Sequence, residues 1–330
     1  MGLSILLKSC ICMRDSIEIS GTRYTIIERI AVGKEKSDEL VPISEIFLLL
    51  GGFSNIDLVE SSSTRRKYAL KRITNHSQND EKAALKEIEI IKKLSPHANI
   101  TKVIDFAIEG TADDLVNTTS SLSIVLPYFK NGSLDQYLSR KSKFNDFISE
   151  QQVLVIFLGI AEGVKAIHEC GFAHRDLKTG NVCFSDSMEP ILIDFGSSTE
   201  ARAEICGQPD AMKLQDEAEE KCSLCYRAPE LFQVESYAII DERTDIWSLG
   251  CVLFALCFFK SPFDAVYERG DSVSLAVLSG KIPIPENSPY SQDLHDLILF
   301  QLKTNPMERP FIYSVIEKAQ ELQAKMENRV

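Results

Sequence analysis

Basic residues are in deficit: 36 Lys and Arg stand against 48 Asp and Glu, a formal charge of −12. Nucleic-acid binding is not expected, because it needs clustered cations to neutralise phosphates; a nucleotide, whose charge can be met locally, stays open. No run of 18 apolar residues occurs, so no membrane-spanning helix is expected. The cysteines are odd in number, nine, and irregularly spaced. Cys222-x-x-Cys225 has no second such pair and no His nearby, so neither a disulfide framework nor a zinc site is expected, and a reducing compartment fits. Internal repeats and low-complexity segments are also missing.

What is present is an ordinary globular composition, 44% hydrophobic and 25% charged over 330 residues, enough for one large or two modest domains. Short β-type runs recur at 24–30, 54–60, 67–73 and 123–126, the last closed by Pro127. Residues 80–94 are helix formers with Leu85, Ile88 and Ile91 at helical spacing, ended by Pro96. A second helix is expected over 151–169, with Gly171 in the capping position. The apolar stretch 247–259 predicts a buried core helix. The fold class that follows is α+β in two lobes: a β-rich N-lobe over about 21–126, joined by residues 127–130 to a helical C-lobe over 131–327, after a tail at 1–20.

Residues 174–181 read His-Arg-Asp-Leu-Lys-Thr-Gly-Asn; Asp194-Phe195-Gly196 and Ala228-Pro229-Glu230 follow, and Lys71 lies upstream in Tyr-Ala-Leu-Lys. One such triplet occurs often by chance, and a lone Asp in a loop is usually a turn residue. In this order and spacing the set resembles the protein-kinase signature. The resemblance implies ATP and Mg²⁺ as cofactors and proteins with Ser or Thr acceptors as partners. Phosphoryl transfer asks for positioning and charge neutralisation. Asp176 is then expected to accept the proton of the acceptor hydroxyl, Asn181 and Asp194 to ligate Mg²⁺, and Lys71 to hold the α- and β-phosphates. The orienting partner of Lys71 is either Glu87 or Glu89, which point about 200° apart around a helix; we assign Glu87. Lys178, two residues after Asp176, points to Ser/Thr specificity, and Ser223 occupies the position from which a hydroxyl bonds the catalytic loop. His174, Asp245 and the pair Glu230 and Arg309 are expected to be architectural.

The resemblance extends beyond the signature. Gly-Gly-Phe-Ser (51–54), Asp57-Leu-Val-Glu, Cys225-Tyr-Arg-Ala-Pro-Glu-Leu-Phe, residues 241–254 and residues 270–277 are similar to the myristoylated and palmitoylated serine/threonine kinases related to the Numb-associated kinases. That likeness covers roughly 20–325. It implies constitutive activity, attachment to the cytoplasmic face of Golgi or plasma membranes with a cytosolic pool, and a nucleotide hinge at Pro127-Tyr128-Phe129 after Leu126.

Three positions depart from that pattern. The glycine-rich turn is interrupted: Gly33, preceded by Ala31 in place of a glycine, is separated from Gly52 and Phe53 by residues 34–51. Such an insert favours an alternative reading, a pseudokinase scaffold; it also reads as a translated intron, since its length keeps the frame. Thr179 stands where the pattern has proline, a change expected to be harmless. At the N-terminus Gly2 lies in a myristoylation context weakened by Leu6, and Cys10 and Cys12 match a palmitoylated Cys-x-Cys pair shifted along the chain. One acyl chain holds a membrane only marginally, so the two signals are expected to act together.

Overall fold

Runs rich in β-branched and aromatic residues set the strands Thr22–Val32, Ser54–Ser61, Lys67–Asn75 and Thr118–Pro127 of the first sheet. The computed structural model describes residues 15–32, 54–113 and 118–327. The expected glycine-loop residues Gly33, Gly52 and Phe53 and the expected acyl sites Gly2, Cys10 and Cys12 lie outside them. Two units form, one of residues 1–81 with 103–128 and one of 82–102 with 129–330.

In the first unit, β1 (Ser16–Ile19), β2 (Thr22–Val32), β3 (Ser54–Ser61), β4 (Lys67–Asn75), β5 (Asp105–Asp113) and β6 (Thr118–Pro127) make one sheet in the order β1-β2-β3-β4-β6-β5. All its pairings are antiparallel. Ile19, Tyr24, Val59, Leu70 and Val125 close its core. The expected tail at 1–20 is corrected here: Ile17 pairs with Tyr24 and Ile19 is fully buried, so residues from Ser16 belong to the sheet. Strand β5 escaped the sequence reading because it is a half-exposed edge strand, acidic and carrying Gly110, as edges that avoid further pairing are. The β2–β3 ladder runs on to Val32 opposite Asn55, so the flanks of residues 33–53 meet as a hairpin.

Helix α1 (Gln78–Leu94) buries Ala84, Glu87, Ile88, Ile90, Ile91 and Leu94. Its residues from Lys82 onward cluster with the second unit rather than with the expected N-lobe. That unit is helical. Ser133 and Gln136 form a reciprocal capping box that starts α2 (Leu134–Lys143), and Ser149 caps α3 (Glu150–Glu169). α3 is long and apolar enough to cross a membrane by length and composition alone, but half of it is buried against its neighbours. Short strands follow: β7 (Phe172–Ala173), β8 (Val182–Phe184), β9 (Pro190–Leu192), β10 (Thr199–Glu200) and β11 (Ala203–Cys206). Then come α4 (Gln208–Lys221), β12 (Tyr237–Ile240), α5 (Arg243–Phe258), α6 (Asp264–Glu268), α7 (Val273–Leu278), α8 (Gln292–Gln301) and α9 (Ile312–Glu327). The expected core helix is α5, buried from Arg243 to Cys257.

Two glycines on α3 seat the hairpin β8–β9. A Cβ on Gly159 would come within 2.6 Å of Pro190 Cγ, and one on Gly163 within 2.9 Å of Leu192 Cδ1. Only glycine lets β9 lie this close to the helix. Both positions look like dilution of an apolar helix in the sequence, and nothing there marked them as contacts.

Candidate active site

The catalytic-loop segment sits between β7 and β8 and is fixed from below by Asp245 of α5. The Asp245 carboxylate accepts the backbone N–H groups of His174 (2.7 Å) and Arg175 (2.9 Å), and its Oδ2 is 2.9 Å from His168 Nε2. Burial alone would raise the pKa of this carboxyl, but the hydrogen bond to His168, with the bonds from the loop backbone, outweighs it and holds the pKa below the usual range. The architectural roles expected of His174 and Asp245 are thus met. The His174 ring is wholly buried, lies 5.2 Å from the Phe195 ring, and takes the Asp176 N–H on Nδ1 at 3.3 Å. Arg175 (φ 67°) and Asp194 (φ 59°) both occupy the left-handed region. Backbone held there in non-glycine residues is strained by about 1–3 kcal/mol and persists where the surroundings enforce it.

Asp176 is 8% exposed, and its carboxylate accepts from three donors. The Ser223 N–H donates to Oδ1 (2.8 Å), Asn181 Nδ2 donates to Oδ2 (3.0 Å), and Lys178 Nζ lies 2.9 Å from Oδ2. Lys178 also donates to the Ser223 hydroxyl at 2.8 Å, so the bond expected of Ser223 is present. The structure therefore brings Asp176, Lys178, Asn181 and Ser223 into one cluster. Asn181 Nδ2 also donates to the Asp176 carbonyl (2.8 Å), while its buried Oδ1 has no hydrogen-bond partner among the described residues. The antiparallel β8–β9 pair returns the chain to the same end: the Ile193 N–H donates to the Asn181 carbonyl (3.0 Å), which puts Asp194 next in line.

Of the residues expected to meet a nucleotide, Lys71 on β4 is 6% exposed and pairs in register with Ile124. On α1, Glu87 is 3% exposed whereas Glu89 faces solvent, the split that their angular separation demands. Pro127 ends β6, and Phe129 begins the stretch assigned to the second unit.

Thr179, where the pattern has proline, is 5% exposed, and its hydroxyl lies 3.2 Å from Asp135 Oδ1 and 3.1 Å from Tyr226 Oη. The sequence signal was there in the departure itself, but its partners come from α2 and from residue 226 and could not be read locally.

Beyond Asp194 the chain is ordered by its own backbone. β11 pairs with β12, and α4 follows from Gly207, with Asp210 accepting the Cys206 N–H at 3.1 Å. Arg227 closes the C-terminal end of α4 by donating to the carbonyls of Cys222 (3.1 Å) and Glu219 (3.4 Å). Arg175 Nη2 reaches the Ala201 carbonyl at 3.4 Å. Cys222 and Cys225 are free thiols whose pKa burial pushes up to about 12, which does not suit nucleophilic attack.

The protein kinase domain family model matches residues 50–319. The chain belongs to the protein kinases. It is 37% identical over 314 residues to serine/threonine-protein kinase 16 of Mus musculus and to that of Homo sapiens, with 95% of this chain and 95% of each relative covered. A probable serine/threonine-protein kinase of Dictyostelium discoideum is 34% identical over 80% of this chain and 23% of its own length. The chain is accordingly a serine/threonine protein kinase of α+β fold, with protein substrates and ATP implied by the family. The family match starts at residue 50, C-terminal to most of the insert.

Proposed function

We propose that the cluster around Asp176 transfers the γ-phosphoryl group of ATP to Ser and Thr hydroxyls of proteins. The observation that carries this reading is the set of three donors on the Asp176 carboxylate, from Ser223, Asn181 and Lys178. A carboxylate has about four acceptor sites, so one remains for an incoming hydroxyl. Asp176 takes the proton of that hydroxyl as its oxygen bonds to the γ-phosphorus and the bond to the ADP oxygen breaks. Lys178 adds positive charge beside the transferred group and, through Ser223, keeps the carboxylate aimed.

The donor set fits Mg²⁺. Asn181 Oδ1 is a hard oxygen, buried and without a partner among the described residues, and Asp194 follows Ile193, whose N–H donates to the Asn181 carbonyl. Asn181 and Asp194 would hold the ion, which when bound neutralises charge on the phosphate oxygens. Lys71 would contact the α- and β-phosphates with Glu87 orienting it, and Pro127 with Phe129 would receive the adenine, as the resemblance implies. Gly33, Gly52 and Phe53 would cover the phosphates.

Activity without prior phosphorylation and attachment to Golgi or plasma membrane through Gly2, Cys10 and Cys12 belong to the same reading. The first is supported by α4 and its Arg227 cap. The second is supported by the Met1-Gly2 and Cys-x-Cys sequence alone. The scaffold reading rests on residues 34–51.

Asp176→Asn tests the assignment. It keeps the shape and is expected to lower turnover on protein substrate about 10²–10⁴-fold, with nucleotide binding retained. A variant keeping more than about a tenth of wild-type turnover refutes the role; an inactive wild type with bound nucleotide favours the scaffold.

A further inference from the structure

One residue that departs from the family pattern, Thr179, also joins three elements. Thr179 lies in the catalytic loop, Asp135 in the first turn of α2, and Tyr226 at the end of the segment that begins with Ser223. A hydroxyl has one proton. The Asp135 carboxylate can only accept, so Thr179 gives its proton there, and Thr179 Oγ1 then accepts the Tyr226 O–H. The phenol keeps its proton: desolvation around its hydroxyl, followed by the charge of Asp264, raises its pKa well above the ordinary tyrosine value. The chain of bonds therefore has one direction, Tyr226 to Thr179 to Asp135.

The segment 223–226 is tied at both ends. At its start, Ser223 is held to Asp176 and Lys178 by two bonds of 2.8 Å. At its end, Tyr226 is held by its carbonyl, which accepts Ser248 Oγ at 2.8 Å, and by its hydroxyl on Thr179 at 3.1 Å. Between them Leu224 is 36% exposed. An acceptor residue whose hydroxyl meets Asp176 has neighbours within about 3.8 Å along its own backbone, so the flanking substrate residues pass this segment. Cutting the tie at Tyr226 leaves Ser223 and Asp176 bonded to each other. The loss should fall on how the peptide is gripped, not on the proton transfer.

We propose that Thr179 is a positioning residue for the protein substrate: its hydroxyl, bonded to Tyr226 and Asp135, sets the place of the segment 223–226 against which the acceptor peptide lies. This rests on the active-site reading above. A proline at 179 would lack the hydroxyl, so the device belongs to this sequence and not to the general pattern.

The test compares Thr179→Val, Thr179→Ser, Tyr226→Phe and the double variant Thr179→Val/Tyr226→Phe in the full chain, on one acceptor peptide. Thr179→Val and Tyr226→Phe are each expected to raise KM for the peptide about three- to tenfold, the range of an ordinary net hydrogen bond. KM for ATP and kcat should change less than about twofold, and Thr179→Ser should restore the peptide KM. The double variant should be no worse than the poorer single one, because the two hydroxyls form one bond. Unchanged peptide KM, loss confined to kcat, failure of the Ser variant to rescue, or effects that multiply in the double variant would each overturn the proposal. If Thr179→Val does not fold, Tyr226→Phe alone, which removes one oxygen from the same pair, decides it. Asp176→Asn run in parallel separates the two claims: its persisting turnover would sink the active-site reading, whereas an unchanged peptide KM beside a dead Asp176→Asn sinks only the role of Thr179.

Discussion

Arg309 grips Glu230 through two parallel bonds, Nη1 to Oε1 at 2.8 Å and Nη2 to Oε2 at 2.5 Å. Its remaining donors go to the carbonyls of Lys303 (2.8 Å), Arg243 (2.7 Å) and Thr304 (3.3 Å). A guanidinium has five N–H groups in a fixed fork, and every one is used. The side chain is buried over Trp247, 5.6 Å from its ring. Removing one partner of such a pair strands the other charge, at a cost of about 3–5 kcal/mol. Arg309→Lys keeps the charge but not the fork, since an ammonium has three donors, and is expected to lose about 1–3 kcal/mol in urea unfolding from the carbonyls left without a donor. A loss under about 1 kcal/mol would show that the site relaxes around lysine.

Asp245 gives a pH-dependent version of the same argument. Its pKa is depressed in the folded state despite burial, through His168 and the loop N–H groups. A depressed carboxyl contributes stability that is present above its unfolded value, about 3.9, and fades as pH falls through the folded value. Asp245→Asn turns an NH₂ toward a donor and should destabilise the fold by about 3 kcal/mol or more at pH 7. Measured by urea unfolding, the gap between wild type and variant should be full from pH 5.5 to 7 and narrow below about pH 4. A gap that stays constant down to pH 3 would show that the ionised form is not what stabilises.

How much of this could be read in the sequence follows from distance along the chain. Lys178, Asn181 and Asp176 fall within six residues, so the resemblance of that short stretch to the protein-kinase signature assigned them to one site, and it placed Ser223 by its offset to Ala228. The β-type runs and helical patterns gave β2, β3, β4, β6, α1, α3 and α5. What stayed hidden is what depends on remote partners: Gly159 and Gly163 matter because of Pro190 and Leu192, and Thr179 because of Asp135 and Tyr226. Strand β5 stayed hidden because an exposed edge reads as a polar loop.

Residues 34–51 are expected to be dispensable for folding. The β2–β3 ladder runs through Val32 and Asn55, and deleting 34–51 would leave Gly33, Gly52 and Phe53 with Ser54 to join paired strands. A three-residue connection with glycine is a common hairpin loop. The deletion variant should unfold at the same temperature within a few degrees and bind ATP more tightly, measured by titration calorimetry. Equal affinity with and without the segment would show that the turn tolerates it, and cDNA sequence across codons 30–55 reports whether the transcript carries it.

Membrane attachment, if it follows from the N-terminal sequence, needs both acyl signals. A single myristoyl chain gives an association constant of only about 10⁴ M⁻¹. Gly2→Ala alone, or Cys10→Ser with Cys12→Ser, should therefore move the protein to the soluble fraction of a cell lysate. Full membrane retention of the double cysteine variant would end the two-signal account.

The final expectation concerns activation. Kinases with an arginine before the catalytic aspartate can use it to grip a phosphate on the segment that follows, ordering that segment through new charge-assisted bonds. Here Arg175 reaches the Ala201 carbonyl, and the chain from Glu200 to Cys222 contains no Ser, Thr or Tyr. No acceptor is available in that stretch. Order comes instead from the β11–β12 pairing, from α4, and from Arg227 on the carbonyls at the end of α4. These are bonds of the unmodified chain. Enzyme made in bacteria and exhaustively dephosphorylated, with removal verified by mass spectrometry, should keep its turnover on protein substrate within about twofold. Ser197, Ser198, Thr199 and Ser223 are the nearby hydroxyls to monitor, and all four already have partners: Ser197 on the Lys221 carbonyl (3.0 Å), Ser198 on the His174 carbonyl (3.4 Å), Thr199 on Glu200 Oε2 (3.2 Å) and Ser223 on Lys178 (2.8 Å). A phosphate on Ser223 would displace the Lys178 bond and lower activity, not raise it. A drop of tenfold or more on dephosphorylation, about 1.4 kcal/mol in the barrier, would mean that the segment needs a phosphate after all.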